Sequence, residues 1–330
     1  MGKPSAGVKL GPGVGLDNGV LSAGRGRVMI VTSDPVSAIP AFGTSMSAWL
    51  SVHLIASDFT TSGNDPQYAT FTYNFPSAMS EADREKYIRS VGRECGRLGV
   101  AIVGGHTGSY PGSGFTVIGS GSMLGFAPEK GYVAPSMARI GDAVVMTKHA
   151  AIEATCSLAA AFPGYVESKA IRLPTKRARG LARLCSTVAD ARAARRVALG
   201  AGGVSSMHDA TEGGILGALH EMATASERRF EVRPDRIPVA PESRAVCGAF
   251  GIDPLETMGE GSLLITCAPA RVDDLHLALR RSGVPSVEIG SVERGEGLVL
   301  VDPTGKKSSF EPRGDAYWQA YSRALARGLR

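Results

Sequence analysis

Apolar positions in the first part of the chain form short runs, each closed by small polar residues. The run RVMIVTSDPV (27–36) is continuous and exits through Thr-Ser-Asp-Pro, which predicts a buried strand. In SMSAWLSVHLIASDFTTSG (45–63) the apolar residues recur near helical spacing and stop at Asp58 and Gly63. QYATFTYNF (67–75) alternates and is rich in Thr, Tyr and Phe, the signature of a strand. SEADREKYIRSVGRECGRLG (80–99) predicts a helix, with Ser80 as its N-cap, acids in its first turn and Gly99 at its stop. VAIVGGHTG (100–108) and FTVIGSGSMLG (115–125) predict two more strands, the first ending at Gly104–Gly105.

After the linker APSMARI (134–140), GDAVVMTK (141–148) predicts a strand, followed by helices over 151–162 and 175–199. HDATEGGILGALHEMA (208–223) reads as a capped helix, and GSLLITCAP (261–269) as a strand. A helix over 271–283, strands over 286–295 and 296–302, and a closing helix over 315–330 complete the pattern. The fold class is therefore mixed α/β (α+β), in two domains. A Gly- and Pro-rich arm (1–26) precedes an N-terminal domain (27–139) and a C-terminal domain (140–330).

Composition narrows the classes. An apolar share of 43% suits a globular protein, and the +5 net charge is scattered, mostly on Arg. With aromatics at 6%, no nucleic-acid partner is expected. Five cysteines lie far apart with no CxxC pair, which suits reduced, buried thiols in a cytoplasmic protein. The first 26 residues lack the charged start and apolar run of a secretory leader, and no window approaches ~18 uncharged apolar residues, so no membrane span is expected.

Three features can carry chemistry. Asp17, Asp34 and Asp58 each close an apolar or Gly-rich segment (GLDNG, VTSDP, IASDF). Singly each suits a cap or Asx-turn; together they offer hard oxygen ligands for Mg²⁺ on nucleotide phosphates. In HDATEGG, Asp209 and Thr211 can cap the following helix, while Gly213–Gly214 lets the backbone approach either an anion or another element. The third is Gly104–Gly105–His106–Thr107, where the histidine can be a ligand, a base or a polar cap. Zinc is disfavoured, because His106 has no Cys or His at i+2 to i+4 and the other histidines are dispersed. No Walker A motif occurs, no strand precedes GPGVGLDNG, and GSGSMLG lacks the context of a nucleophile elbow.

GVGLDNGVL, VTSDP, ASDFTTSGNDP, VGGHTG, GDAVVMTK, HDATEGG and GIDPLETMGEGSLLIT occur in an order that resembles the AIR synthase (PurM-like) superfamily, over about residues 7–303. Within it, the last motifs look most like the hydrogenase-maturation HypE branch. The resemblance implies a PurM-like fold in which the N-terminal sheets of a homodimer form a barrel. It implies ATP and Mg²⁺ as cofactors, with Asp17, Asp34 and Asp58 on metal and Asp34, Gly104, Gly105, Thr107, Thr211, Gly213 and Gly214 near the nucleotide. Lys9 resembles a flexible lysine that covers the triphosphate, and His106 and Asp209 take catalytic positions. The implied activity is phosphoryl transfer that activates a substrate oxygen. A silent nucleotide-binding partner in maturation, and an AIR synthase-type ligase or small-molecule kinase, are the alternatives. The sequence departs from the family pattern at Leu16 and His106, where relatives carry acids, and RALARGLR lacks the C-terminal cysteine of HypE.

Overall fold

The computed structural model describes residues 5–169 and 175–329; residues 1–4 of the expected arm, 170–174 and Arg330 lie outside the described residues. Two compact units result, Met1–Pro12 with Asp17–Tyr132 and Gly13–Leu16 with Val133–Arg330.

The first unit is a six-stranded mixed sheet with two helices. Its strands are β1 (Val8–Leu10), β2 (Gly19–Gly24), β3 (Arg27–Ser37), β4 (Tyr68–Pro76), β5 (Ala101–Tyr110) and β6 (Val117–Pro128), in the order β1-β2-β3-β6-β4-β5. The helices are α1 (Thr44–Thr60) and α2 (Glu81–Leu98). Period-2 burial runs through β4, where Ala69, Phe71, Tyr73 and Phe75 all point into the core. Tyr87 of α2 meets Tyr73 and Phe75 edge-on, its hydroxyl donating to the Ser37 carbonyl at 2.9 Å. The sequence signals for α2 hold in detail. Asp83 N–H donates to the Ser80 side chain, and Gly99 closes the helix at φ 82°.

Two expectations change here. The segment expected as a mobile arm supplies β1 and β2; Val20 and Leu21 of β2 pair with Ile30 and Met29 of β3, burying Val20. The Gly104–Gly105 pair does not end its strand, because β5 runs on to Tyr110 in parallel register with β4. Gly105 faces Phe71 across that pairing at φ 150°, and a Cβ there would stand 2.0 Å from the Phe71 carbonyl oxygen. Close strand approach, rather than a turn, requires this glycine.

The second unit is a seven-stranded sheet ordered β13-β12-β9-β11-β7-β10-β8. Its strands are β7 (Ala143–Thr147), β8 (Val204–Asp209), β9 (Arg229–Val232), β10 (Leu263–Cys267), β11 (Ser286–Glu293), β12 (Gly297–Val301) and β13 (Lys307–Phe310). The helices are α3 (Ile152–Ala161), α4 (Pro163–Lys169), α5 (Thr175–Gly180), α6 (Val188–Ala194), α7 (Gly214–Ser226), α8 (Pro241–Phe250), α9 (Val272–Arg281) and α10 (Tyr317–Ala326). Both faces of the central strands are covered, which explains their unbroken apolar runs. Val144 and Met146 pack with Ile215, Leu219 and Met222 of α7, whereas Val145 and Ile265 pack with Leu275 and Leu279 of α9.

The single helix expected over 175–199 is broken into α5, a 3-10 turn at Leu181–Leu184, and α6. At the break the Lys148 ammonium accepts the role of intrahelical amides. It donates to the carbonyls of Leu184 and Ser186 and pairs with buried Asp190 at 2.9 Å. No helix among the described residues is long and apolar enough to cross a membrane.

Candidate functional site

In the first unit the site residues gather around Thr32. Its hydroxyl lies 2.9 Å from the Asp17 carbonyl and 3.5 Å from Asp58 Oδ2. Buried Asn18 ties the same elements together, donating to the Asp58 carbonyl at 2.8 Å and to Thr61 Oγ1 at 2.9 Å. Asp34 follows two positions after Thr32 on β3 and so projects from the same sheet face. The entry to β2, the middle of β3 and the last turn of α1 thus bring Asp17, Asp34 and Asp58 to one region. All three are half-buried. These three carboxylates offer oxygen donors, the type that suits a hard cation such as Mg²⁺. Thr32 and Asn18 were not singled out from the sequence. Their signal was adjacency to the aspartates in VTSDP and GLDNG.

The other residues named for this unit lie on strands. His106 and Thr107 are exposed on β5, and His106 Nε2 lies 2.8 Å from the Tyr110 hydroxyl, four residues along the same strand. Gly104 pairs with Thr70 in the β4–β5 ladder. Lys9, expected on a flexible arm, sits on β1 and pairs with Glu129 at 2.9 Å. That hydrogen bond raises the Lys9 pKa and lowers that of Glu129.

In the second unit HDATEGG spans the end of β8 and the start of α7. His208 and Asp209 are buried, and His208 Nε2 lies 3.0 Å from Glu221 Oε2. The cap of α7 differs from the expected one. Gly213 is the N-cap residue, and its N–H donates to Asp315 Oδ2 at 2.9 Å. Asp315 Oδ1 accepts from Thr257 Oγ1 at 3.1 Å and from Tyr317 N–H at 2.7 Å. Thr211 contributes its carbonyl to the Gly214 and Gly259 amides, and Asp209 stays in the β8–β10 ladder opposite Leu263. Close packing requires Gly214. A Cβ on Gly214 (φ 63°) would lie 2.7 Å from the Thr257 carbonyl oxygen and 2.8 Å from that of Leu255.

Glu153, in the first turn of α3, completes this corner. Its Oε2 is buried with no hydrogen-bond partner among the described residues. Burial foremost, then the nearby Glu212 and Asp315 charges, push its carboxyl up to about 8. No sequence motif marks Glu153 or Asp315, because the one sits in an ordinary helix and the other in a loop far along the chain.

Two family models match the chain. The N-terminal domain of AIR synthase related proteins covers residues 15–127, and the C-terminal domain covers residues 139–303. Among curated proteins, the carbamoyl dehydratase HypE of Rhizobium leguminosarum bv. viciae is 28% identical over 283 residues, which span 84% of this chain and 77% of that protein. Among solved structures, AaThiL complexed with AMPPCP and TMP superposes with a TM-score of 0.71 at 19% identity, over 91% of this chain and 90% of that one. The hydrogenase maturation protein HypE in complex with ATP gives a TM-score of 0.70 at 22% identity, over 86% and 85%. The fold is thus PurM-like in both units.

Proposed function

We propose that this chain, which belongs to the AIR synthase related family and lies near HypE within the PurM-like superfamily, is an ATP-dependent, Mg²⁺-requiring enzyme. It activates a substrate oxygen by phosphoryl transfer. The observation that carries this reading is Thr32, which donates to the Asp17 backbone carbonyl and lies 3.5 Å from Asp58 Oδ2, with Asp34 on the same strand face. Support comes from the ATP held by the similar HypE and the AMPPCP held by AaThiL. Asp17, Asp34 and Asp58 would hold Mg²⁺, which supplies charge neutralisation for a transferring phosphoryl group. Lys9 exchanges Glu129 for phosphate. In the first unit, Gly104, Gly105 and Thr107 border the nucleotide. His106, already within hydrogen-bond reach of Tyr110, donates to phosphate or substrate, and Asp209 acts at the end of β8. The working form is a homodimer.

A second reading is a nucleotide-binding partner protein without turnover. It is favoured by the α7 N-terminus, where Asp315 already takes the Gly213 N–H. One experiment separates the two. ATP turnover is measured with Mg²⁺ across carboxamide, amine and phosphate substrates, beside thermal shifts with Mg-ATP. The enzyme reading expects turnover that falls at least ~100-fold in Asp58→Asn. A thermal shift with no turnover on any substrate supports the silent partner. No shift with any Mg-nucleotide overturns both.

A further inference from the structure

Two thiols of the second unit lie close enough to be joined. Cys156, in the middle of α3, and Cys185, directly after the 3-10 turn at Leu181–Leu184, are fully buried with their Sγ atoms 3.9 Å apart. Neither belongs to the carboxylate cluster or to HDATEGG. We propose that Cys156 and Cys185 are a redox modification site, which forms a reversible intramolecular disulfide with hydrogen peroxide as oxidant.

The placement is built by the fold rather than left to chance. Lys148 grips the carbonyls of Leu184 and Ser186, the residues on either side of Cys185, and is itself anchored to Asp190. A Cβ on Gly261 (φ 108°) would lie 2.9 Å from the Cys185 Cα, so this turn is packed from that side as well. Opposite it, α3 is fixed to α8 by the Thr155 Oγ1–Ser243 Oγ hydrogen bond of 3.0 Å, and Cys156 Sγ points back to the Glu153 carbonyl at 3.3 Å. Both backbones are held, so bond formation needs side-chain rotation and a closure of roughly 2 Å between the sulfurs. The Cys156 contact and burial hold the Cys185 thiol well above the ordinary thiol range. Cys185 therefore rests as a thiol, and the burial of both sulfurs excludes a bulky disulfide oxidant.

The chemistry balances. One sulfur, on losing its proton, attacks a peroxide oxygen; the O–O bond breaks, a sulfenic acid forms, and the departing oxygen leaves as water with that proton. The second sulfur attacks the sulfenic sulfur. The S–S bond forms, the S–O bond breaks, and the second thiol proton leaves in a second water. Two thiols lose two electrons, and one peroxide becomes two waters.

The test treats the folded full-length protein with hydrogen peroxide, removes the peroxide, and alkylates with iodoacetamide in denaturant before mass spectrometry. Of the five thiols, three are expected to alkylate, with a linked peptide pair carrying Cys156 and Cys185 that dithiothreitol separates. Cys156→Ala and Cys185→Ala are each expected to leave every remaining thiol alkylatable, with circular dichroism confirming that they fold. The wild-type peptide map decides the matter even if a variant does not fold. Five alkylatable thiols, a bond involving Cys247 (which packs on Thr155), or higher oxidation of either sulfur without a cross-link would overturn the proposal.

Discussion

Gly105 and Gly99 separate two costs that are usually confounded. Both have positive φ, but nothing lies within 4 Å of a Cβ on Gly99, whereas one on Gly105 meets the Phe71 carbonyl oxygen. Gly99→Ala is expected to cost about 1 kcal/mol, the left-handed penalty alone. Gly105→Ala should cost on the order of 3 kcal/mol or more, because β4 or β5 must move. Urea unfolding of both variants checks this, and equal losses would sink the steric account. Glu153 gives a pH prediction. Its carboxyl sits at about 8 when folded, against an ordinary 4.5. Between those values the folded chain holds a proton that the unfolded chain has released, so stability falls as pH rises through this window. The contribution is complete below about 4.5 and gone above about 8. Glu153→Gln stays neutral throughout, and removes a decline on the order of 5 kcal/mol. The melting temperature from pH 5 to 9 should therefore drop less in the variant than in the wild type; parallel curves would contradict the assignment. At this scale the sequence was informative where a residue closes its own element. Asp17, Asp34 and Asp58 were legible because each ends a run, whereas Glu153 owes its character to neighbours that only folding supplies.

Caps show where elements depend on distant chain. Ser80 caps α2 from the adjacent position and is readable by eye, but α7 is capped by Asp315, 102 residues from Gly213. No local pattern encodes such a partner, and the sequence offers only the nearer Asp209 and Thr211 as caps. Asp315→Ala is expected to cost about 1–2 kcal/mol by freeing the Gly213 amide and the Thr257 hydroxyl. Asp315→Asn, which keeps one carbonyl oxygen, should recover part of that. Because Asp315 also raises the Glu153 carboxyl, the two sites should couple, and Asp315→Ala should weaken the Glu153 pH dependence as well. Additive behaviour in Asp315→Ala/Glu153→Gln unfolding would refute the link. The break between α5 and α6 has the same origin. Helical periodicity ran unbroken through 175–199, and the Lys148 ammonium, directly after β7, decides where the carbonyls leave the helix.

At the scale of the whole molecule, two-domain organisation was legible from the strand and helix order, since each unit is built around its own sheet. What covers the outer edge of the first sheet was not visible in local patterning. β5 ends the strand order and exposes Ile102 at 45% and Val103 at 60%, with Val117 at 59% on β6. An edge strand that protects itself carries lysine, proline or an inward charge, and AIVGGHTGSY carries none of them. An apolar, uncharged edge of ten residues suits pairing with its own copy, which is the homodimer proposed above. Sedimentation at micromolar concentration should therefore give twice the mass of one chain. Val103→Lys would place a charge on that edge and is expected to weaken association at least ~10-fold, while leaving the monomer fold intact because the side chain is already exposed. A wild-type monomer at that concentration removes the homodimer. A Val103→Lys dimer as tight as the wild type places the interface on another surface.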